Sequence, residues 1–225
     1  VMSSVFPHVK WLAGGTAARV GSVWCVGRNY RKHAAELGNE VPAEPLLFLK
    51  AASAVRPLLA SGAPIAYMDE QFDHEAELVL LIGEHVRLGE AVTRAQLLSA
   101  VHGVGLGIDL TRRGRQAQLK AHGLPWTSAK SFAGAAPVSE FVRDFELGAI
   151  EYSLSVNGEE RQYARVADMI FDPSHLLRYL SQSHELLPGD LLFTGTPEGV
   201  GPLRRGDRFE LVFERGAHGR FEGEL

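Results

Sequence analysis

Asp73-His74-Glu75-Ala76-Glu77-Leu78-Val79-Leu80-Leu81-Ile82 is the stretch on which the fold turns. Its second half is an unbroken apolar run that reads as a buried strand. Its first half sets two carboxylates two residues apart. Side chains alternate along a strand, so Glu75 and Glu77 point to one face. Carboxylates on one face repel each other, and burying them unpaired is costly. A strand that runs from such a pair straight into the core calls for a divalent cation. An oxygen-only ligand set suits Mg2+, Mn2+ or Ca2+ better than zinc. The competing reading is a solvated strand face, which an isolated Glu-x-Glu pair often is.

Working outward, short strand-like runs with turn signals dominate the chain: Ser22 to Val26, Glu77 to Ile82, Gly103 to Leu110, Glu151 to Val156, Asp190 to Phe193 and Arg208 to Phe213. Asn157-Gly158 after Tyr152, Leu154 and Val156 signals a hairpin, since both residues tolerate positive φ. Three helices are predicted. Tyr30 to Leu37 is closed by Gly38 as a left-handed cap. Thr93 with Gln96 forms a capping box for a helix from Thr93 to Val101. Asp172-Pro173 starts a helix carrying Leu176, Leu177 and Leu180, ended by Pro188-Gly189. Strands outnumber helices without alternating with them, which argues for an α+β, predominantly β, architecture over a doubly wound parallel sheet. Residues 1–60 are expected to form a small N-terminal segment with a lid helix, and residues 61–225 the main, catalytic domain.

The chain has 225 residues, 45% hydrophobic and 22% charged, an ordinary globular mixture. A net charge of -4 gives no electrostatic ground for a nucleic-acid partner. The densest basic stretch, Arg112-Arg113-Gly114-Arg115, reads as a phosphate-binding loop or a solvated turn. The single cysteine, Cys25, excludes an internal disulfide and a four-cysteine zinc site. Within Val23-Trp24-Cys25-Val26 it reads as a small buried hydrophobe. No apolar stretch reaches the ~20 residues of a membrane span, and Val1-Met2-Ser3-Ser4 lacks the pattern of an export signal. A reducing, cytoplasmic setting is expected.

Further candidates join the carboxylate pair. In Gly103-Val104-Gly105-Leu106-Gly107-Ile108-Asp109 the glycines share a face with Asp109, so bare backbone leads to a third carboxylate and is expected to leave room for a metal or ligand. The glycines resemble a dinucleotide fingerprint only superficially, since no long helix follows them. His33 and Glu36 stand three apart on one helix face, the spacing at which a carboxylate can orient a histidine that activates water. A surface ion pair would show the same spacing. Lys130, between Trp126 and Phe132, is either a snorkelling lysine or a partly desolvated cation facing a developing enolate. His74 points away from Glu75 and reads as structural. The loop Gly195-Thr196-Pro197-Glu198-Gly199-Val200-Gly201 is rich in backbone donors but lacks the ending of a P-loop.

Taken together, these stretches closely resemble the fumarylacetoacetate hydrolase family, in its short acylpyruvase, fumarylpyruvate hydrolase and oxaloacetate decarboxylase-like branch. The matching segments are Gly27-Arg28-Asn29-Tyr30 with His33 and Glu36, Pro45 to Lys50, and Asp73 to Leu78. Gly107 to Gln116, Gly123 to Lys130 and Thr194 to Gly201 continue in the family's order. The resemblance implies a mixed β-sandwich roll with few short helices, usually dimeric. It implies Mg2+ or Mn2+ held by Glu75, Glu77 and Asp109, and a catalytic dyad of His33 and Glu36 on a segment that orders as a lid. Lys130 joins the catalytic set, and Arg28, Arg113, Gln116 and Thr196 fall among the substrate contacts. The implied activity is metal-dependent carbon–carbon hydrolysis of acylpyruvates such as fumarylpyruvate or acetylpyruvate, releasing pyruvate. Oxaloacetate decarboxylation and isomerisation of 2-hydroxyhepta-2,4-diene-1,7-dioate are alternatives within the family; a non-catalytic metal- and oxo-acid-binding protein is an alternative outside it. The implied partners are a small 2-oxo acid and a second copy of the chain, with no nucleic acid and no membrane. Two departures bear on substrate fit: Gly114 replaces a frequent acidic residue, and Ala51-Ala52 follow Lys50 where Pro and Ser are common.

Overall fold

The computed structural model describes residues 7–36, 38, 40–58, 72–89 and 92–225. In chain order the first strands are β1 (His8–Lys10), β2 (Thr16–Arg19), β3 (Val23–Gly27), β4 (Leu46–Lys50), β5 (Val55–Pro57), β6 (Phe72–His74), β7 (Ala76–Ile82) and β8 (Val101–Ile108). They are followed by β9 (Ala136–Val138), β10 (Glu151–Val156), β11 (Glu159–Arg165), β12 (Leu191–Phe193), β13 (Gly201–Leu203), β14 (Arg208–Arg215) and β15 (Arg220–Glu224). The α-helices among the described residues are α1 (Arg31–Glu36), α2 (Arg94–Ser99), α3 (Arg113–Ala121), α4 (Thr127–Lys130) and α5 (Pro173–Ser181).

The apolar run of β7 sits at the centre of a seven-stranded sheet of order β4-β3-β12-β7-β8-β9-β5. β3 runs parallel to β12 and β5 parallel to β9, while the other pairings are antiparallel. A second, antiparallel sheet of order β11-β10-β14-β15 covers one of its faces. This is the mixed, predominantly β arrangement of the expected α+β class.

Alternation on β7 and β8 divides the core. Leu78, Leu80, Leu106 and Ile108 pack in one cluster with Tyr152, Leu154 and Leu211 of the second sheet. Val79 and Leu81 join Cys25, Phe141 and Phe193 in another. The β8 glycines lie on that second side, and the space expected beside them is filled by rings. A Cβ on Gly107 would stand 2.7 Å from Phe193, and one on Gly103 2.7 Å from Trp11. These glycines admit aromatic packing beneath the site; they do not leave room for a ligand.

The boundary expected between residues 60 and 61 lies outside the described residues. Strands on both sides of it, β3, β4 and β5 before and β7, β8, β9 and β12 after, share the central sheet. The hairpin at Asn157-Gly158 joins β10 to β11, with φ of 53° and 80° at the two residues, as a type I′ turn requires. Gly38 adopts a left-handed φ of 62° after α1, while Leu37 is outside the described residues, as are residues 1–4. The Thr93 capping box is complete. Asp172 caps α5, which stops at Ser181 before the expected Pro188-Gly189, because Leu186 leaves the helix to pair with Val86. Arg113 to Arg115 open helix α3, not a loop or turn, and Gly114 is exposed there. No helix among the described residues is long and apolar enough to cross a membrane.

Candidate metal centre and reaction cleft

Strand register builds the centre. β7 and β8 pair Ala76 with Ile108 and Glu77 with Gly107. The same register continues past both strand ends: Asp109 N donates to Glu75 O at 2.8 Å, and Asp73 and Thr111 exchange bonds of 2.9 and 3.0 Å. Glu75 fills the one-residue gap between β6 and β7, opposite Asp109. One side-chain oxygen from each of Glu75, Glu77 and Asp109 lies within 4.8 Å of the other two, and all three residues are buried.

Two buried lysines hold this negative charge. Lys130, at the end of α4, places Nζ 2.8 Å from Glu75 Oε2, 2.6 Å from Asp109 Oδ2 and 2.6 Å from Thr111 Oγ1. Burial alone would raise the Glu75 pKa, but Lys130 and Arg113 outweigh it and hold the carboxyl well below the usual carboxylate range. Burial would likewise strip Lys130 of its proton, yet Asp109 and Glu75 keep it strongly basic. Lys50, from β4, lies 2.7 Å from Asp109 Oδ1 and donates to the carbonyls of Ala135 at 2.9 Å and of Lys130. Glu77 has no lysine of its own. Its Oε2 accepts the Gly195 N–H at 2.6 Å, and burial, then Asp109 and Glu75, push its pKa well above the carboxylate range.

This donor set fits a hard divalent cation. Asp109 Oδ1 is buried, accepts no well-directed hydrogen bond, and has the Lys50 ammonium as an ionic neighbour at 2.7 Å. Glu77 is the carboxylate whose charge is least compensated. Three buried carboxylates with an unsatisfied oxygen match Mg2+ or Mn2+ by donor type.

A cleft opens above the triad. Arg28, His33, Glu75, Arg113, Gln116, Lys130 and Thr196 all line it. Glu75 is the member of the triad that reaches the cleft, and Glu36 pairs with His33. The His33 Nδ1 to Glu36 Oε2 distance is 3.4 Å, and Glu36 is tied to the next loop by the Gly199 N–H at 3.1 Å. Burial lowers the His33 pKa, against the opposing pull of Glu75 and Glu36, and so favours the neutral imidazole. Arg113 is held by Asp73 at 2.8 Å, by Glu75 at 2.5 Å and by Gln116 at 2.7 Å. The Thr196 hydroxyl donates to Ala76 O at 2.8 Å and accepts from Gln162 Nε2 at 2.8 Å. It therefore has no proton left to offer a ligand. His74 is buried against Gln162 at 3.0 Å.

Several residues of this site had no sequence signal of their own. Gln162 is the main one: its Oε1 accepts from His74 and from Ala76 N, while its Nε2 reaches the Thr196 loop. It lies on β11, a strand whose exposed neighbours make it look like a hairpin arm. Phe48 and Trp126 wall the cleft with ring centroids 6.1 Å apart, and Lys120 also lines it. For Lys120 the available signal was helical spacing: Arg113, Gln116 and Lys120 fall on one face of α3.

The family model for the fumarylacetoacetate (FAA) hydrolase C-terminal region matches residues 22–222. The chain belongs to the fumarylacetoacetate hydrolase family. Among its relatives, the oxaloacetate tautomerase YcgM of Escherichia coli is 38% identical over 216 residues, covering 93% of this chain and 96% of the relative. The mitochondrial oxaloacetate tautomerase FAHD1 of Mus musculus is 40% identical over 207 residues, covering 89% and 90%. The crystal structure of fumarylpyruvate hydrolase from Pseudomonas aeruginosa, in complex with Mn2+ and pyruvate, superposes with a TM-score of 0.89 at 33% identity, covering 100% of this chain and 97% of that one. These fumarylacetoacetate hydrolase relatives are enzymes, and one of them holds Mn2+.

Proposed function

We propose that the protein is a metal-dependent enzyme of short 2-oxo acids that works through their enolates, and that it hydrolyses acylpyruvates to pyruvate and a carboxylic acid. The observation that carries this reading is the buried His33, paired with Glu36 and lining the same cleft as Glu75 and Lys130. A divalent cation held by Glu75, Glu77 and Asp109 would supply Lewis-acid polarisation of the 2-oxo acid. His33, oriented by Glu36, takes a proton from water, and the water oxygen bonds to the distal carbonyl carbon of the substrate. The carbon–carbon bond then breaks and pyruvate leaves as its enolate, which is protonated to pyruvate. Lys130 and Arg113 offer fixed positive charge to the developing oxyanion and need no reorganisation. Phe48 and Trp126 exclude water from one wall.

A second reading, keto–enol tautomerisation or decarboxylation of oxaloacetate, is supported by the two tautomerase relatives. It needs the same enolate and only a proton shuttle at His33. One experiment separates the readings. The Mn2+- or Mg2+-loaded protein is incubated with acetylpyruvate, fumarylpyruvate and oxaloacetate, following pyruvate, CO2 and the enol absorbance separately. Pyruvate from an acylpyruvate supports hydrolysis; enol interconversion of oxaloacetate alone supports tautomerisation; no reaction on any substrate refutes both. Exposed Leu49 on the edge strand β4 and exposed Leu124 support a homodimer, which sedimentation equilibrium tests. A cytoplasmic setting completes the reading, supported by the lone buried thiol of Cys25.

A further inference from the structure

We infer that Asn29 is a positioning residue that ties the base His33 to the metal ligand Glu77 through the single peptide unit between Thr194 and Gly195; this rests on the roles given to His33 and Glu77 above. Asn29 is fully buried and acts through its hydrogen bonds. Its Nδ2 donates to Thr194 O at 2.8 Å and to Phe171 O at 3.0 Å, and its Oδ1 accepts the Phe171 N–H at 2.8 Å. Both amide protons are used, and turning the amide over would set its oxygen against two carbonyls. The side chain therefore has one orientation.

The carbonyl of Thr194 and the N–H of Gly195 belong to one planar trans peptide and point in opposite directions. Asn29 grips the oxygen end, while the N–H at the other end donates to Glu77 Oε2 at 2.6 Å. Rotating this plane would disturb both bonds at once, so Asn29 sets the direction of the N–H that meets Glu77. Hydrogen bonds in such a buried chain also polarise one another. The other arm of the link runs to the base. The Asn29 carbonyl accepts the Ile170 N–H at 2.8 Å, Tyr30 bridges to Met169, and Tyr30 O accepts the Ala34 N–H of α1 at 3.0 Å. Arg28 holds a left-handed φ of 58°, which persists only where surrounding structure over-determines it. The bonds of Asn29 supply that constraint, and His33 lies one helical turn further on. At the far end of α1, Glu36 accepts the Gly199 N–H at 3.1 Å. The helix that carries the base is thus fastened at both ends to residues 194–199, the stretch that also serves Glu77.

Asn29→Asp in the full chain tests this, because it is isosteric, keeps the acceptor for the Phe171 N–H and loses both donations. Titration calorimetry with Mn2+ should show affinity weakened about five- to ten-fold, the scale of one charge-assisted bond. In proton–nitrogen correlation spectra of the metal-free protein, the Gly195 amide proton should move upfield. The Ala34 amide should exchange with solvent at least about ten-fold faster. A purely structural Asn29 would lower the urea midpoint and leave the Mn2+ affinity and the Gly195 shift at wild-type values, and that outcome overturns the inference. Unchanged Ala34 exchange overturns the arm that runs to His33. Asn29→Ser keeps a hydroxyl donor for one carbonyl; it should fall between wild type and Asn29→Asp, and it carries the same test if Asn29→Asp does not fold. Wild-type protein that binds no Mn2+ overturns the metal reading itself, and the coupling with it.

Discussion

Lys130 points its ammonium at Asp109, with 2.6 Å between Nζ and Oδ2, and neither group reaches bulk water. A cation that bridges the carboxylates must therefore share Asp109 with a lysine that is already in place. The pair also ties α4 to the end of β8, so charge balance and packing depend on the same contact.

Removing that lysine exposes how much it carries. Lys130→Met leaves buried carboxylates without their main counter-charge, which typically costs about 3–5 kcal/mol. The metal-free variant should unfold at clearly lower urea concentration, and Mn2+ should restore most of the difference. A midpoint unchanged in metal-free buffer would show that the carboxylates do not need Lys130.

Gly195 supplies the N–H that Glu77 accepts, at a φ of 98°. A Cβ there would stand 2.6 Å from Asn29 Cβ. Gly195→Ala should cost about 1–3 kcal/mol of stability and, by displacing this backbone N–H from Glu77, weaken Mn2+ binding by up to about ten-fold, the size of one charge-assisted bond. Calorimetric titration with Mn2+ checks the second effect; affinity equal to the wild type would disprove the role given to this N–H.

The pH dependence follows from His33. Burial depresses its pKa below the ordinary 6.5. An unfolded histidine takes up a proton near 6.5 while the folded one resists, so the unfolded state binds more protons in that window. His33's contribution to stability is complete above pH 6.5 and is lost as pH falls toward the folded pKa. For the reaction, kcat/KM should be flat above about pH 6.5 and fall at lower pH as the base is protonated. Glu36 raises the His33 pKa, so Glu36→Gln should move the inflection further into acid, visible also in the imidazole NMR shifts. An inflection that does not move would separate Glu36 from the histidine.

Gln162 ties together two chain segments that carry the site, bonding Ala76 N at 2.9 Å between Glu75 and Glu77, and Thr196 at 2.8 Å. Gln162→Leu should leave the Ala76 N–H and His74 unpaired in the core, at about 1–3 kcal/mol each. Urea unfolding should show a loss of at least about 2 kcal/mol. A loss below half that would mean that water or a shifted loop replaces the amide.

How far the sequence could be read depended on whether local pattern or distant pairing decides a residue's place. β7 and β8 were legible because burial on both faces leaves an apolar run. The Asn157-Gly158 turn was legible because backbone geometry restricts its residue types. α3 was not, because Arg113, Gly114 and Arg115 are polar or permissive and only Gln116 and Leu119 turn inward. The short strands β6, β9 and β13 owe their form to partners far along the chain, as Asp73 does to Thr111. Glu75, Glu77 and Asp109 could be proposed as a group from spacing. Gln162 could not, because an amide on a hairpin arm carries no mark of what it will meet.

The two ammonium groups of Lys50 and Lys130 have a consequence for the protein without metal. Together they bring as much positive charge to the three carboxylates as one divalent ion would. The chain thus supplies its own counter-charge to buried carboxylates, and a cation entering there would share them with lysines already in place. The metal-free protein is therefore expected to fold cooperatively in chelator, and circular dichroism in EDTA checks this.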